Sequence, residues 1–277
     1  MTLDEAFALT PLGDGRYQTA VVESDEKRTF GGLLLGQALA AAALTIEDMM
    51  CSSLHVVFLA AAVANAPVEI TVVRLRDGRK FASRRVEVLQ GKQLILSTLA
   101  TFHAGDNGPE HAAGIPAVPA PEGLTDQRDI RAANAAARGN KASPYIAETL
   151  LDIRPVEMPL DQTNGIEGRR AVWFRPRLPI KEQAAMRCAV LAFASDVGLV
   201  HVGLQAHNVV GDGRAPEAAS LDHAIWFHRD PPAADWLLHV QRSPVAASGR
   251  GLALGQIFTF DGRLVANTAQ ELLERWR

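Results

Sequence analysis

Two long apolar segments mark the two halves of this chain. The first covers residues 30–50, is rich in alanine and glycine, and is apolar on most of its faces. The second covers residues 188–204, where Asp196 stands among apolar neighbours. Since a helix that is hydrophobic all round is normally buried, each segment predicts a buried helix.

Strand-like segments follow each predicted helix. Runs rich in Val, Ile, Thr and Phe that end in Asp-Gly or Gln-Gly pairs are typical of hairpins. The first half contains such segments at residues 68–75, 82–89 and 93–103, and the second half at 224–228, 236–241, 251–260 and 263–271.

The shared order of elements indicates an internal repeat. Ser53-Leu-His corresponds to Ser220-Leu-Asp, 167 residues later, and Ser97-Thr-Leu-Ala corresponds to Asn267-Thr-Ala-Gln, 170 residues later. A near-constant offset predicts one ancestral unit used twice. We therefore expect an α+β fold of two repeats, each with an antiparallel sheet wrapped around a long central helix. The expected units are residues 1–105 and 146–277, joined by a linker at 106–145 that is rich in proline, glycine and alanine.

Composition narrows the choice of partners. The formal net charge is -3 and no long run of Lys or Arg occurs, which argues against nucleic acid or a membrane surface as the main partner. Two cysteines, Cys51 and Cys188, are too few for a disulfide framework, and we expect buried thiols. The sequence predicts no metal and no cofactor. The N-terminus does not have the pattern of a secretory signal, and the apolar segments are too short or too interrupted to span a membrane, so a cytoplasmic protein is predicted.

Asp196 is the residue that composition does not explain. Read as part of a helix, its neighbours three and four positions away are Ala192, Phe193, Leu199 and Val200, all apolar. A buried carboxylate is costly unless it is hydrogen-bonded, and its pKa rises. The pattern is equally compatible with a functional acid and with an acid at a helix end that one backbone N–H satisfies.

Conventional catalytic motifs are missing from the chain. It has no G-x-S-x-G elbow, no H-E-x-x-H, no C-x-x-C and no P-loop. Asp222 and His223 are adjacent, but neighbours on a strand point to opposite faces, which disfavours a serine-hydrolase triad built on them. The remaining polar residues at the ends of apolar elements are Asp196, Ser220 and Gln270.

Several blocks of this chain resemble the acyl-CoA thioesterase II (TesB-like) family. They cover nearly the whole sequence outside the linker. The blocks are Ser220-Leu-Asp-His-Ala-Ile-Trp-Phe-His-Arg229, Leu191-Ala-Phe-Ala-Ser-Asp196, Asp261-Gly-Arg-Leu-Val-Ala-Asn-Thr-Ala-Gln-Glu271, Phe30-Gly-Gly, Gly36-Gln-Ala-Leu39 and Arg76-Asp-Gly-Arg-Lys-Phe-Ala-Ser-Arg-Arg85.

The resemblance implies a fold and an activity. The family is built as a double hotdog and hydrolyses acyl-CoA to a free carboxylic acid and CoA. Its Asp, Thr or Ser, and Gln hold a nucleophilic water, and these positions fall on Asp196, Ser220 and Gln270. Ala100 stands in the first half where Gln270 stands in the second, so we expect one active site per chain. Analogy with other hotdog proteins implies a homo-oligomer, a dimer or larger.

Residues 58–67 depart from the family pattern. The family usually continues this segment with Arg-Pro-Gly and a polar turn, whereas this chain has an alanine-rich stretch. A change at this turn affects substrate choice if the turn shapes the acyl or CoA channel. Two alternatives stay open: a hotdog enoyl-CoA hydratase or dehydratase on the same scaffold, and a non-catalytic acyl-CoA or lipid binding protein, which the altered turn favours.

Overall fold

The computed structural model describes residues 1–143, 145–156, 167–205, 207 and 216–275. Within these residues the helices are α1 (Leu3–Ala6), α2 (Gly31–Ala43), α3 (Gln127–Ala137), α4 (Ile146–Leu150), α5 (Ala184–Ser195) and α6 (Leu199–Gln205). The first strands are β1 (Leu9–Gly13), β2 (Arg16–Thr19), β3 (Met50–Phe58), β4 (Glu69–Asp77), β5 (Phe81–Gln90) and β6 (Gln93–His103). The later strands are β7 (Leu151–Val156), β8 (Gly168–Pro176), β9 (Glu217–Ser220), β10 (Asp222–Phe227), β11 (Leu237–Ala247), β12 (Arg250–Thr259) and β13 (Leu264–Arg275).

The described strands form one antiparallel sheet. Their order is β1-β2-β4-β5-β6-β3-β10-β13-β12-β11-β8-β7, and β9 pairs with β13. β3 and β10 join the two halves, with Val57 opposite Asp222 and Ser53 opposite Trp226. Each half therefore contributes its own antiparallel strands to a sheet that is continuous across the middle of the molecule.

Two buried helices, α2 and α5, pack against each other beneath this sheet. A Cβ added at Gly32 would meet Phe193 O, and one added at Gly36 would meet Ala189 O, so the two helices run in opposite directions. Leu35 and Leu39 of α2 are fully buried, and each such side chain contributes roughly 1.5–3 kcal/mol of apolar burial. The antiparallel arrangement brings the start of α2 beside the end of α5.

The two predicted helices are shorter than their apolar segments. The first ends at Ala43, where Thr45 Oγ1 donates to Ala42 O over 2.7 Å and competes with helix continuation. The second is interrupted: α5 ends at Ser195, Gly198 adopts φ +90°, and α6 begins at Leu199. Asp196 therefore caps a helix end rather than lying in mid-helix.

The predicted strand segments correspond to strands of the sheet, although β11 continues six residues beyond the predicted 236–241 and β3 was not predicted. The segment at 93–103 is β6, and the segments at 82–89 and 251–260 correspond to β5 and β12. The linker carries α3, and its Pro119 carbonyl accepts from Trp173 Nε1 over 2.9 Å. Part of the linker thus packs onto the second half of the sheet.

The segment Ala184–Gln205 is long and apolar enough, by length and composition alone, to cross a membrane. Most of it is buried inside the fold, and the helix breaks at Gly198. We therefore assign this segment to the core. Cys51 and Cys188 are both buried free thiols, as expected.

Candidate active site

Asp196 lies at the junction between α5 and α2. It is the C-cap residue of α5 and is 7% exposed. Burial raises the pKa of its carboxyl, whereas the charge of His223, the Gly32 backbone N–H and the Gln270 side chain act in the opposite direction. The carboxylate faces the start of α2, where free backbone N–H groups and the helix dipole favour negative charge.

Two glycines allow this close approach. A Cβ at Gly31 would lie 3.0 Å from Asp196 Oδ2 and 3.2 Å from Phe58 Cζ. A Cβ at Gly32 would lie 2.4 Å from Phe193 O, a distance that real Cβ atoms essentially never show. The Phe30-Gly-Gly block therefore has a packing reason: it lets the first turn of α2 reach the end of α5.

Ser220 and Gln270 lie together on neighbouring strands. Ser220 ends β9, which pairs with β13, the strand that carries Gln270. Gln270 Nε2 donates to Ser220 Oγ over 2.9 Å. Gln270 is fully buried and Ser220 is partly exposed. The structure thus brings the three residues expected from the sequence into one cluster, with Ser220 at its more open side.

His223 is a further member of this cluster that the sequence interpretation left out. It is 1% exposed, its Nδ1 lies 2.7 Å from Gln270 Oε1, and its Nε2 lies 2.9 Å from Ser195 Oγ. Burial lowers the pKa of His223, and the Asp196 charge acts in the opposite direction. The available signal was strand alternation: His223, Ile225 and Phe227 face inward, and Asp222 is exposed on the opposite face from His223, as the alternation predicts.

The network fixes the orientation of the Gln270 amide. Gln270 acts as a hydrogen-bond donor toward Ser220 and stabilises the Asp196 carboxylate, so Nε2 faces these two residues. Oε1 then accepts from His223 Nδ1–H. His223 Nε2 lies 2.9 Å from Ser195 Oγ, and the one proton of that hydroxyl is also within hydrogen-bond distance of Ala192 O, at 2.8 Å. With Oε1 engaged, the acceptor at this site with free capacity is the Asp196 carboxylate.

A second buried network holds the turn that follows Asp196. Gln241 Nε2 donates to Val197 O over 2.6 Å and also lies 2.9 Å from His239 Nδ1. His239 Nε2 lies 3.1 Å from Thr268 Oγ1, and burial lowers the pKa of His239 to about 3. These bonds tie the turn to β11 and β13, so the position of Asp196 is set by the sheet as well as by α5.

Metal ligation is not evident in the part of the chain that the structure describes. Among those residues, no group of three or more His, Cys, Asp and Glu side chains could hold a metal ion. The arrangement instead offers one carboxylate, one hydroxyl and one oriented amide, which can bind and polarise a water molecule.

Comparison with known proteins identifies the family. The model described as the acyl-CoA thioesterase N-terminal domain matches residues 23–103, and the one described as the C-terminal domain matches residues 116–273. The chain belongs to the acyl-CoA thioesterase family. It is 34% identical to human acyl-coenzyme A thioesterase 8 over 274 residues, which cover 95% of this chain and 85% of the relative. It is 33% identical to Haemophilus influenzae acyl-CoA thioesterase 2, over 90% of this chain and 88% of the relative.

A solved structure agrees with this assignment. The acyl-CoA thioesterase II TesB2 of Mycobacterium marinum matches with a TM-score of 0.81 at 33% identity, over 99% of this chain and 98% of that chain. These matches confirm the predicted family and the double-hotdog fold, and they support thioester hydrolase activity. The roles of Asp196, Ser220 and Gln270 stay a prediction, as do the domain boundaries, the homo-oligomer and the cytoplasmic location.

Proposed function

We propose that this acyl-CoA thioesterase hydrolyses its substrate with a water molecule held by Asp196, Ser220 and Gln270. The observation that carries the proposal is the buried cluster itself, in which Gln270 Nε2 donates to Ser220 Oγ and also stabilises the Asp196 carboxylate. A thioester carbonyl is already reactive and a thiolate leaves readily. The protein therefore has to position a water and accept its proton, and a covalent serine intermediate is not required.

Asp196 is the proposed general base. Its raised pKa makes it a stronger proton acceptor than an ordinary aspartate. In the proposed step the carboxylate takes a proton from the water while the water oxygen forms a bond to the thioester carbon. Collapse of the tetrahedral intermediate breaks the C–S bond, and the proton on Asp196 passes to the departing CoA thiolate. The products are the free carboxylic acid and CoA.

Ser220 and Gln270 are proposed to hold the water. The Ser220 hydroxyl accepts from Gln270, so its own proton is free to donate to the water oxygen. The start of α2 is proposed to face the thioester carbonyl through the Gly31 N–H, where it would stabilise negative charge on oxygen. The next two N–H groups are engaged, that of Gly32 with Asp196 and that of Leu33 with Phe30 O. Gly31 suits this role because a side chain there would meet Asp196 Oδ2.

The direct test follows thiol release from a panel of acyl-CoA substrates of different chain length. Asp196→Asn keeps the shape of the side chain and removes the base, so kcat is expected to fall by about 100-fold or more. Asp235→Asn, which changes an exposed aspartate elsewhere, is the matched control and is expected to keep full activity.

Three outcomes would contradict the proposal. Equal thiol release by the wild type and Asp196→Asn would exclude Asp196 as the base. Binding of acyl-CoA without thiol release would favour a binding protein, and hydration of an enoyl-CoA would favour a hotdog hydratase.

A further inference from the structure

A large cleft beside α3, α6 and β8 carries an excess of positive charge. Its volume is 1040 Å³, which is at the upper end of the usual range for small-molecule sites. Glu148 is its one carboxylate among the described lining residues. The basic residues that line it are Arg131, Arg138, Lys141, Arg169 and Arg170.

Only part of this charge is neutralised. Glu148 pairs with Arg131 at 2.9 Å and accepts from Gln127, and Arg169 pairs with Glu167 at 3.4 Å. Arg138 and Lys141 are exposed and form no ion pair with any part of the chain that the structure describes. The cleft therefore keeps uncompensated cations at its mouth.

Arg170 places a further cation inside the cleft. Its Nη2 donates to Gln127 Oε1 over 2.9 Å, and its Nε is buried and has no hydrogen-bond partner among the described residues. Burial lowers the pKa of Arg170, and no described carboxylate offsets that effect. Burying a guanidinium without an anion is costly, so a site that keeps one is suited to an anionic ligand.

The positive charges of the cleft also act on His201. It lies on α6 and reaches into the cleft, where it keeps contact with solvent. The surrounding protein, and then the charges of Arg170 and Arg131, lower the pKa of His201. The two guanidinium charges that act on His201 are the charges that would attract an anion into the cleft.

Tyr145 links the cleft to the catalytic cluster. Arg131 Cζ lies 5.0 Å from the centre of the Tyr145 ring, and that ring packs at 5.3 Å against Phe30, which precedes Gly31. Burial raises the pKa of Tyr145, and the negative charge of Asp196 raises it further. One aromatic side chain therefore lies between the basic cleft and Asp196.

We propose that this cleft binds the phosphate groups of the CoA moiety and that the thioester reaches Asp196 past Tyr145. The inference rests on the proposed function, because it assigns the nucleotide end of the same substrate. CoA carries a pyrophosphate and a 3′-phosphate, and arginine and lysine side chains are the usual partners of such groups.

The test compares two substrates that share the acyl thioester. One is an acyl-CoA and the other is the same acyl group on N-acetylcysteamine, which carries no phosphate. The double variant Arg138→Gln/Lys141→Gln is expected to raise KM for the acyl-CoA about tenfold, with kcat within about twofold. KM for the N-acetylcysteamine thioester should not change. Arg79→Gln/Lys92→Gln removes two exposed cations elsewhere and is the matched control.

Arg170→Met is expected to raise KM for the acyl-CoA further and to leave kcat for the phosphate-free thioester intact. Arg170 is partly buried, so if this variant fails to fold, the surface double variant decides the question. Adenosine 3′,5′-bisphosphate should inhibit competitively against the acyl-CoA and lose potency in the double variant. Equal inhibition by inorganic phosphate at the same concentration would indicate a free-phosphate site and overturn the assignment.

The two proposals fail differently. Loss of hydrolysis of both thioesters in the wild type would refute the proposed function. Hydrolysis of both, with equal KM changes or none in the double variant, would refute the CoA assignment alone.

Discussion

At the residue scale, the orientation of the Gln270 amide decides what the catalytic cluster can do. An amide turned by 180° would present Oε1 to Ser220 and Asp196, where it would repel the carboxylate. The Asp196 carboxylate thus favours the observed orientation, and His223 completes it, because its Nδ1 lies 2.7 Å from Gln270 Oε1 and the tautomer that matches this orientation donates there. His223 thus acts through Gln270 and does not need to touch the substrate.

Substitution of His223 tests this positioning role. His223→Leu removes the donor and is expected to lower kcat by about 100-fold, since a misplaced group near the reacting atoms commonly has that effect. His223→Asn places an amide N–H near the position of Nδ1 and should recover most of the loss, with KM similar in both variants. Kinetics of thiol release measure the difference. Equal kcat in the two variants would contradict the role.

At the element scale, the catalytic base depends on how α2 meets α5. Asp196 caps the C-terminal end of α5, where the helix dipole disfavours a negative charge, and faces the N-terminal end of α2, where the dipole favours it. The contact is possible because Gly32 lies against Phe193 O and Gly36 lies against Ala189 O. The close packing of two helices therefore supports an acid that burial alone would destabilise.

Gly32→Ala tests whether helix propensity or packing decides the effect of this position on stability. In an open helix, alanine would be more favourable than glycine by about 1 kcal/mol. Here the added Cβ would lie 2.4 Å from Phe193 O, so overpacking outweighs propensity and the free energy of unfolding should fall by about 1–3 kcal/mol. Urea denaturation measures the change. Gly108→Ala, with open space around it, is the control, and a Gly32→Ala variant as stable as the wild type would contradict the packing argument.

Most elements could be predicted from the sequence, whereas the contacts between them could not. The strand at Gln93–His103 follows from β-branched residues bounded by turn signals. A lone Gly198 within an apolar run does not predict the break after Asp196. Gly198 adopts φ +90° and lies against the Gln241 side chain, a contact between elements far apart in the chain. The partnership of His223 with Gln270 and Ser195 was missed for the same reason: it joins elements far apart in the chain.

At the scale of the whole molecule, the two halves share a plan but differ in their polar residues. Across the β3–β10 junction, His223 of the second half lies opposite Val56 of the first. Ala100, the proposed counterpart of Gln270, is buried and apolar. The buried histidines that contact the catalytic residues or the turn beside them belong to the second half. We therefore retain the prediction of one active site per chain.

These histidines should also make stability depend on pH. His239 is 1% exposed, and burial lowers its pKa from 6.5 in a model compound to about 3. Below pH 6.5 this histidine becomes protonated in the unfolded chain but stays neutral in the folded chain. Acidification therefore favours unfolding. Its neutral Nδ1 accepts a hydrogen bond from Gln241 Nε2. A proton on Nδ1 would face the Gln241 N–H and remove this hydrogen bond. Burial shifts the pKa of His223 in the same direction.

The contribution of these histidines to the free energy of unfolding should therefore fall as the pH drops from 6.5 to 5, whereas the raised pKa of Asp196 acts in the opposite direction. The expected slope is about 1.4 kcal/mol per pH unit for each buried neutral histidine. Urea titrations at several pH values measure it. His239→Gln should be less stable at neutral pH because it disturbs the network. The slope of its free energy of unfolding against pH should nevertheless be smaller by about 1.4 kcal/mol per pH unit, the contribution of one histidine. His111→Gln, at an exposed position in the linker, should keep the full slope. A slope unchanged in His239→Gln would mean that His239 is already protonated in the folded protein, which its contact with Gln241 Nε2 argues against.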